Sequence, residues 1–149
     1  MLNFKIIKMN KSHVDTVFEL ENNCFSVPWS KKSLKEELEK DNAHFLVAVN
    51  ETGNVLGYVG FNYVCDEGYI TNVAVFPQYR RCGIAKKLLN SIIDFGYENN
   101  LKFISLEVRP SNIFAISLYR SLKFLKVGTR KDFYLDPREN AIIMTRYLK

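Results

Sequence analysis

The stretch that most constrains this chain covers residues 73–93, where a strand, a loop and a helix follow one another directly. Val73, Ala74, Val75 and Phe76 form an apolar run, and Pro77 ends it because proline has no N–H to give to a sheet ladder. From Gly83 onward the apolar side chains fall in two rows four apart, Ile84, Leu88, Ile92 and Ala85, Leu89, Ile93. Lys86, Lys87, Asn90, Ser91 and Asp94 take the opposite side, so the segment predicts an amphipathic helix.

Between strand and helix stand Arg80, Arg81, Cys82 and Gly83, with small Ala85 just inside the helix. A helix N-terminus offers N–H groups without intrahelical partners and the positive pole of the dipole, and glycine lets an anion approach the backbone. A lone glycine would mark no more than an ordinary strand-to-helix turn with surface arginines; the richer spacing here predicts a diphosphate cradle. Neither G-x-x-x-x-G-K-[ST] nor G-x-G-x-x-G occurs, which excludes the P-loop and the dinucleotide fingerprint. Residues 80–85 instead resemble the [QR]-x-x-G-x-[GA] motif of the GNAT N-acetyltransferase superfamily, whose loop holds the pyrophosphate of acetyl-CoA.

A chain of 149 residues is expected to form a single domain, residues 1–149, with a real core. It has no apolar run of membrane-spanning length, and Met1, Leu2, Asn3, Phe4 and Lys5 do not open a signal peptide, so a cytoplasmic protein without membrane contact is expected. The formal charge of +5 suits an anionic cofactor or a ribosomal setting but decides neither. Direct nucleic-acid binding is not expected, since the basic residues are dispersed and no aromatic-basic motif accompanies them. Cys24, Cys65 and Cys82 are odd in number and form no C-x-x-C pair, which indicates neither a disulfide framework nor a metal site.

Taken in order, residues 2–9 alternate as a strand. Residues 11–22 form a helix capped by Asn10 or Ser12, with Val14, Val17 and Phe18 as its buried stripe. A loop, residues 25–30, carries the only tryptophan, Trp29, before a short helix over 31–40 for which Ser30 is the natural cap. Strands over 43–50 and 55–64 are joined by a turn containing Gly53; further strands end at Phe76 and cover 103–108. A helix over 112–122 and a closing hairpin, 126–134 with 141–147, complete the order β-α-α-β-β-β-α-β-α-β-β. This is an α/β fold with a mixed sheet around a central parallel pair. It matches the acetyltransferase fold, in which the two central parallel strands splay and the pantetheine arm of CoA lies in the gap.

Glu107 lies near the C-terminal end of a strand expected to be apolar on both faces. A carboxylate there is salt-bridged, to Arg109 or another cation, or it is a general base. Tyr119, one turn from Ala115 and Ile116, reads by itself as a core tyrosine, and Asn112 as a helix cap. The combination of Leu106, Glu107, Val108 and Arg109 with Ser111, Asn112, Ala115, Leu118 and Tyr119 resembles the bacterial ribosomal-protein-alanine N-acetyltransferases. The loop with Phe25, Pro28, Trp29 and Ser30 and the tail from Arg138 to Met144 extend that resemblance almost end to end.

The resemblance implies that Val73, Ala74 and Val75 hold the acetyl and pantetheine part of acetyl-CoA through backbone groups. It assigns the phosphates to Arg81, Cys82, Gly83, Ile84, Ala85 and Lys86, and a further CoA contact to Asn112. Glu107 is then the base, Tyr119 the acid, and Phe25, Trp29, Tyr134 and Arg138 border the acceptor, a protein N-terminus, that of a ribosomal protein beginning with alanine. Trp29 either lines the acceptor groove or anchors its loop in the core. Ala85, Lys123, Phe133 and Asn140 depart from the family pattern, and Lys123 is placed where a left-handed residue follows a helix. An acetyltransferase of lysine or of small amines, and a non-catalytic acyl-CoA-binding module, are the alternatives.

Overall fold

Residues 2–149 are described by a computed structural model. Side-chain caps start several of its helical segments. After β1 (Phe4–Lys8), Asn10, one of the two expected caps, opens the helical region: its Oδ1 accepts from the Ser12 N–H at 2.9 Å, and its own N–H donates to His13 Nδ1 at 3.0 Å. A single 3-10 turn, Lys11–His13, leads into α1 (Val14–Cys24). Ser30 caps α2 (Lys31–Leu38), its Oγ accepting from the Ser33 N–H at 3.1 Å.

β2 (Leu46–Asn50) and β3 (Val55–Val64) are joined by the turn in which Gly53 has φ 83°. Asn50 Oδ1 binds that turn by accepting from the N–H groups of Thr52 and Asn54 at 3.1 and 2.9 Å. The order continues with β4 (Glu67–Val75), a 3-10 turn at Pro77–Tyr79, α3 (Ile84–Glu98), β5 (Phe103–Val108), α4 (Ile113–Ser121), β6 (Leu125–Leu135) and β7 (Arg138–Tyr147). The expected sequence of elements is therefore observed. Its strands form a seven-stranded mixed sheet in the order β1-β2-β3-β4-β5-β7-β6.

The chain divides into two compact units, Met1–Asn62 with Ile70–Ile92, and Tyr63–Tyr69 with Ile93–Lys149. In the first, β1 pairs antiparallel with β2 from Phe4↔Asn50 to Lys8↔Leu46, and β2 pairs antiparallel with β3. Val14, Val17 and Leu20 of α1, Leu34 of α2, and Phe45, Val47, Tyr58 and Ala74 of the sheet side form its core. Phe18, expected in the buried stripe, is only half-buried; Glu21, one turn further on, is buried instead.

In the second unit, β4 and β5 run parallel in the register Glu67↔Phe103, Gly68↔Ile104 and Tyr69↔Ser105. β5 pairs antiparallel with β7, and β7 with β6. β5 corrects the expectation of a strand apolar on both faces. Ile104, Leu106 and Val108 are fully buried, whereas Phe103, Ser105 and Glu107 alternate with them on a face that is less completely covered. After α4 the chain reverses through Lys123, at φ 68°, the left-handed position expected for it. No helix among the described residues is long and apolar enough to cross a membrane.

Candidate active site

The first unit builds the cradle. β4 delivers Val73, Ala74 and Val75, and the Phe76 N–H donates to the Leu56 carbonyl at 3.0 Å as the strand ends. The chain then passes through Arg81 at φ 62° and Gly83 at φ 82° before α3 begins. The first intrahelical bond there runs from the Lys87 N–H to the Gly83 carbonyl at 3.1 Å. The N–H groups of Ile84, Ala85 and Lys86 are accordingly those that a helix leaves without an intrahelical carbonyl, as an anion cradle requires.

A Cβ built on Gly83 would meet no atom within 4 Å beyond its own chain neighbours, which leaves room on that side of the backbone. This fits a bound diphosphate. Arg80 is turned the other way: its Nε donates to the Val75 carbonyl at 3.2 Å and its Nη2 to Cys24 Sγ at 3.5 Å. It ties the loop back to the strand, and residues 81–86 remain the candidates for the phosphates. Cys24 Sγ also lies 3.7 Å from the Val75 carbonyl, so that carbonyl already has two neighbours before any ligand is considered.

Trp29 belongs to the same unit. Its ring packs on Phe45 at a centroid distance of 6.0 Å, and Phe25 joins the same core, so both serve as anchors of the loop over residues 25–30. Beneath the loop lies Glu21, fully buried. One carboxylate oxygen accepts from the Trp29 N–H at 2.9 Å; the other accepts from the Tyr58 hydroxyl and from Asn72 Nδ2 at 3.0 Å. Burial raises the Glu21 pKa, against the opposing effect of these hydrogen bonds.

The second unit holds the candidate acid and base. The Glu107 side chain is only 7% exposed and forms an ion pair with Arg130 Nε at 3.4 Å. Its other visible partner is Tyr69, whose hydroxyl donates to the carboxylate; burial, this hydrogen bond and the Glu107 charge all raise the Tyr69 pKa. The cation beside Glu107 is thus Arg130 and not the sequence neighbour Arg109. Arg109 instead donates to the Pro137 carbonyl at 2.7 Å, the Asp136 carbonyl at 3.0 Å and Glu139 Oε1 at 3.2 Å.

That clamp fixes Tyr134. The Arg109 guanidinium lies 4.2 Å from the centroid of the Tyr134 ring, within cation–π range. Burial, and then the Glu107 charge, push the Tyr134 hydroxyl up to about 12. Tyr119 is buried against Phe124 at 5.8 Å between centroids. Burial first, with a smaller effect of Tyr134, raises its pKa well above the ordinary tyrosine value, so its hydroxyl stays protonated. Asn112 caps α4, its Oδ1 accepting from the Ala115 N–H at 3.2 Å, and Arg138 is an exposed residue at the start of β7, in register with Leu135.

The first unit thus offers a helix start with free N–H groups after a strand, and the second a largely buried carboxylate and a protonated tyrosine. Residues 14–124 match the model of the acetyltransferase (GNAT) family. The chain belongs to the GNAT acetyltransferase family.

Individual relatives of this acetyltransferase agree. A Haemophilus ducreyi protein named a ribosomal protein bS18-alanine N-acetyltransferase is 37% identical over 136 residues, covering 89% of this chain and 92% of its own. A Bacillus subtilis protein provisionally given the same name is 38% identical over 137 residues, 91% of this chain and 90% of its own. Among solved structures, the ribosomal-protein-S18-alanine N-acetyltransferase of Escherichia coli superposes with a TM-score of 0.90 at 29% identity, over 99% of this chain and 95% of its own.

The residues expected in the acetyltransferase's site fall into two groups. Val73, Ala74, Val75, Arg81, Cys82, Gly83, Ile84, Ala85 and Lys86 lie together in the first unit, with Phe25 and Trp29. Glu107, Tyr119, Asn112, Tyr134 and Arg138 lie in the second. Sequence reasoning missed Tyr69 and Arg130, the partners of Glu107, and the Glu21 cluster. A glutamate inside an apolar stripe was the available signal for Glu21. Tyr69 and Arg130 carried none, since only strand register brings them to Glu107.

Proposed function

We propose that this GNAT acetyltransferase transfers the acetyl group of acetyl-CoA to the α-amino group of a protein N-terminus, and that its acceptor is a ribosomal protein beginning with alanine. What carries this reading is the likeness over about nine-tenths of the chain to relatives named for that acceptor. A family match that runs through both compact units supports one N-acetyltransferase domain over residues 1–149. A ribosomal acceptor puts the reaction in the cytoplasm.

In this reading the α3 N-terminus, with Gly83 and Arg81, receives the phosphates, and the backbone of Val73, Ala74 and Val75 receives the thioester arm. Glu107 takes the proton of the incoming amine. An α-amino group, with a pKa of about 7.7–8.0, costs about 1 kcal/mol to deprotonate near neutrality, against about 4 for lysine at about 10.4. The Glu107 carboxylate is held in place by Tyr69 and Arg130, and the α-amine is the easier of the two amines to deprotonate. Tyr119, kept protonated by its burial, supplies the proton to the departing thiolate. A backbone N–H of the strand end takes the developing oxyanion, where loss of one donor typically costs about 2.7–4 kcal/mol.

The test is a peptide library with free and Nα-blocked ends, incubated with labelled acetyl-CoA and read by mass spectrometry. Acetylation of alanine-first peptides at the α-amine, much faster than at an internal lysine of the blocked form, is expected. Equal or preferential lysine modification overturns the N-terminal reading while leaving the acetyltransferase family assignment in place.

A further inference from the structure

Glu21 has no part in the proton transfers above, yet it is the one fully buried charged side chain among the described residues. Burying a carboxylate costs several kcal/mol unless it is well satisfied. Here the partners are three neutral donors from three different segments: the Trp29 N–H in the loop after α1, the Tyr58 hydroxyl in β3, and Asn72 Nδ2 in β4. Asn72 Nδ2 also lies 3.2 Å from the Tyr58 hydroxyl, which closes the cluster. With zero exposure, the carboxylate cannot touch a substrate.

Two of these donors sit beside functional segments. Trp29 is in the loop expected to receive the peptide, and Asn72 directly precedes Val73 in the strand expected to hold the acetyl arm. Phe45 connects the same parts through its ring, 6.0 Å from Trp29 and 6.4 Å from Tyr58. Because the Trp29 bond is made by the backbone, it sets where the loop lies and not merely how the indole packs.

We propose that Glu21 is a positioning residue for the acceptor: its carboxylate braces the loop over residues 25–30 against β3 and β4, and so sets the affinity for the peptide. This rests on the N-terminal acetyltransferase reading. Burial raises the Glu21 pKa and penalises its charge, a cost that the three donors work against. The donors converge on both carboxylate oxygens, and an amide in either orientation would aim its NH2 at groups that now donate, the Trp29 N–H on one side or Tyr58 and Asn72 on the other.

Glu21→Gln is the informative variant, and Trp29, the only tryptophan, is a built-in probe of the loop. In the full chain, Glu21→Gln is expected to raise KM for an alanine-first peptide about tenfold or more while KM for acetyl-CoA stays within about twofold. Trp29 emission should move to longer wavelength and become more accessible to acrylamide. Tyr58→Phe, which removes one donor and leaves the other two, should shift the same quantities by less, and it carries the test if Glu21→Gln does not fold. Unchanged peptide KM and Trp29 emission in a folded variant overturn the proposal, as does an equal rise in both KM values. Absence of peptide acetylation by the wild type would instead defeat the acceptor reading, and the Trp29 emission of the variants would still decide whether Glu21 holds the loop.

Discussion

Two glycines of this chain form a matched pair that separates backbone strain from ligand approach. Gly53 and Gly83 have φ of 83° and 82°, and a Cβ added to either meets nothing within 4 Å. Substituting alanine at either position therefore brings no clash, only the cost of a side chain in the left-handed region, about 1–2 kcal/mol less a few tenths for the stiffer unfolded chain. In a domain of this length about 1 kcal/mol lowers Tm by roughly 3 °C. Gly53→Ala and Gly83→Ala should show that same modest loss in thermal unfolding.

Their kinetics should differ. The Gly53 turn joins β2 to β3 and has no role in the proposed chemistry, whereas Gly83, just before α3, is where the pyrophosphate is proposed to approach the backbone. KM for acetyl-CoA should be unchanged in Gly53→Ala and raised about tenfold, about 1.4 kcal/mol, in Gly83→Ala, with a larger rise in Gly83→Val. The assay is steady-state acetylation at saturating peptide, with CoA affinity measured separately by calorimetry. Equal acetyl-CoA affinity in folded Gly53→Ala and Gly83→Ala proteins would refute the cradle.

The remaining expectations concern the second unit. Glu107→Gln and Tyr119→Phe should each lower kcat by about 100-fold or more with CoA affinity nearly intact, as measured by single-turnover kinetics; near-normal turnover in both would reduce them to structural residues. Tyr134→Ala should raise the peptide KM more than that of acetyl-CoA, and an effect confined to acetyl-CoA would remove Tyr134 from the acceptor side. A raised folded pKa makes the protonated Tyr119 the favoured form, so its contribution is complete below the unfolded value of about 10 and is lost as pH rises beyond it. Wild-type stability should thus fall more steeply than that of Tyr119→Phe above about pH 10, by up to about 1.4 kcal/mol per pH unit, in denaturant titrations at each pH. Parallel pH curves for the two proteins would show that Tyr119 ionises as freely folded as unfolded.

Much of this protein was determined by local sequence alone. Asn10 and Ser30 start helices because their side-chain oxygens reach backbone N–H groups two or three residues on. Gly53 and Gly83 stand where the backbone turns left-handed, and Pro77 ends the strand run. These are short-range energies, and they sufficed for the order of elements and for the left-handed turn ahead of α3. Apolar periodicity also separated the buried rows of α3 from its lysines.

Only the tertiary structure decided the partners of the charged groups. The period of a strand or helix tells which face a side chain takes, but not which distant residue waits there. Glu107 had Arg109 two residues away and found Arg130, because the clamp on the β6–β7 turn engages Arg109 elsewhere. Trp29 became an anchor once Phe45 lay under its ring. Glu21 is separated by 37 residues from Tyr58 and by 51 from Asn72, and the sheet alone gathers their donors around it. A carboxylate in an apolar stripe is legible as an anomaly in one dimension; what satisfies it exists only where β3 and β4 are already in place.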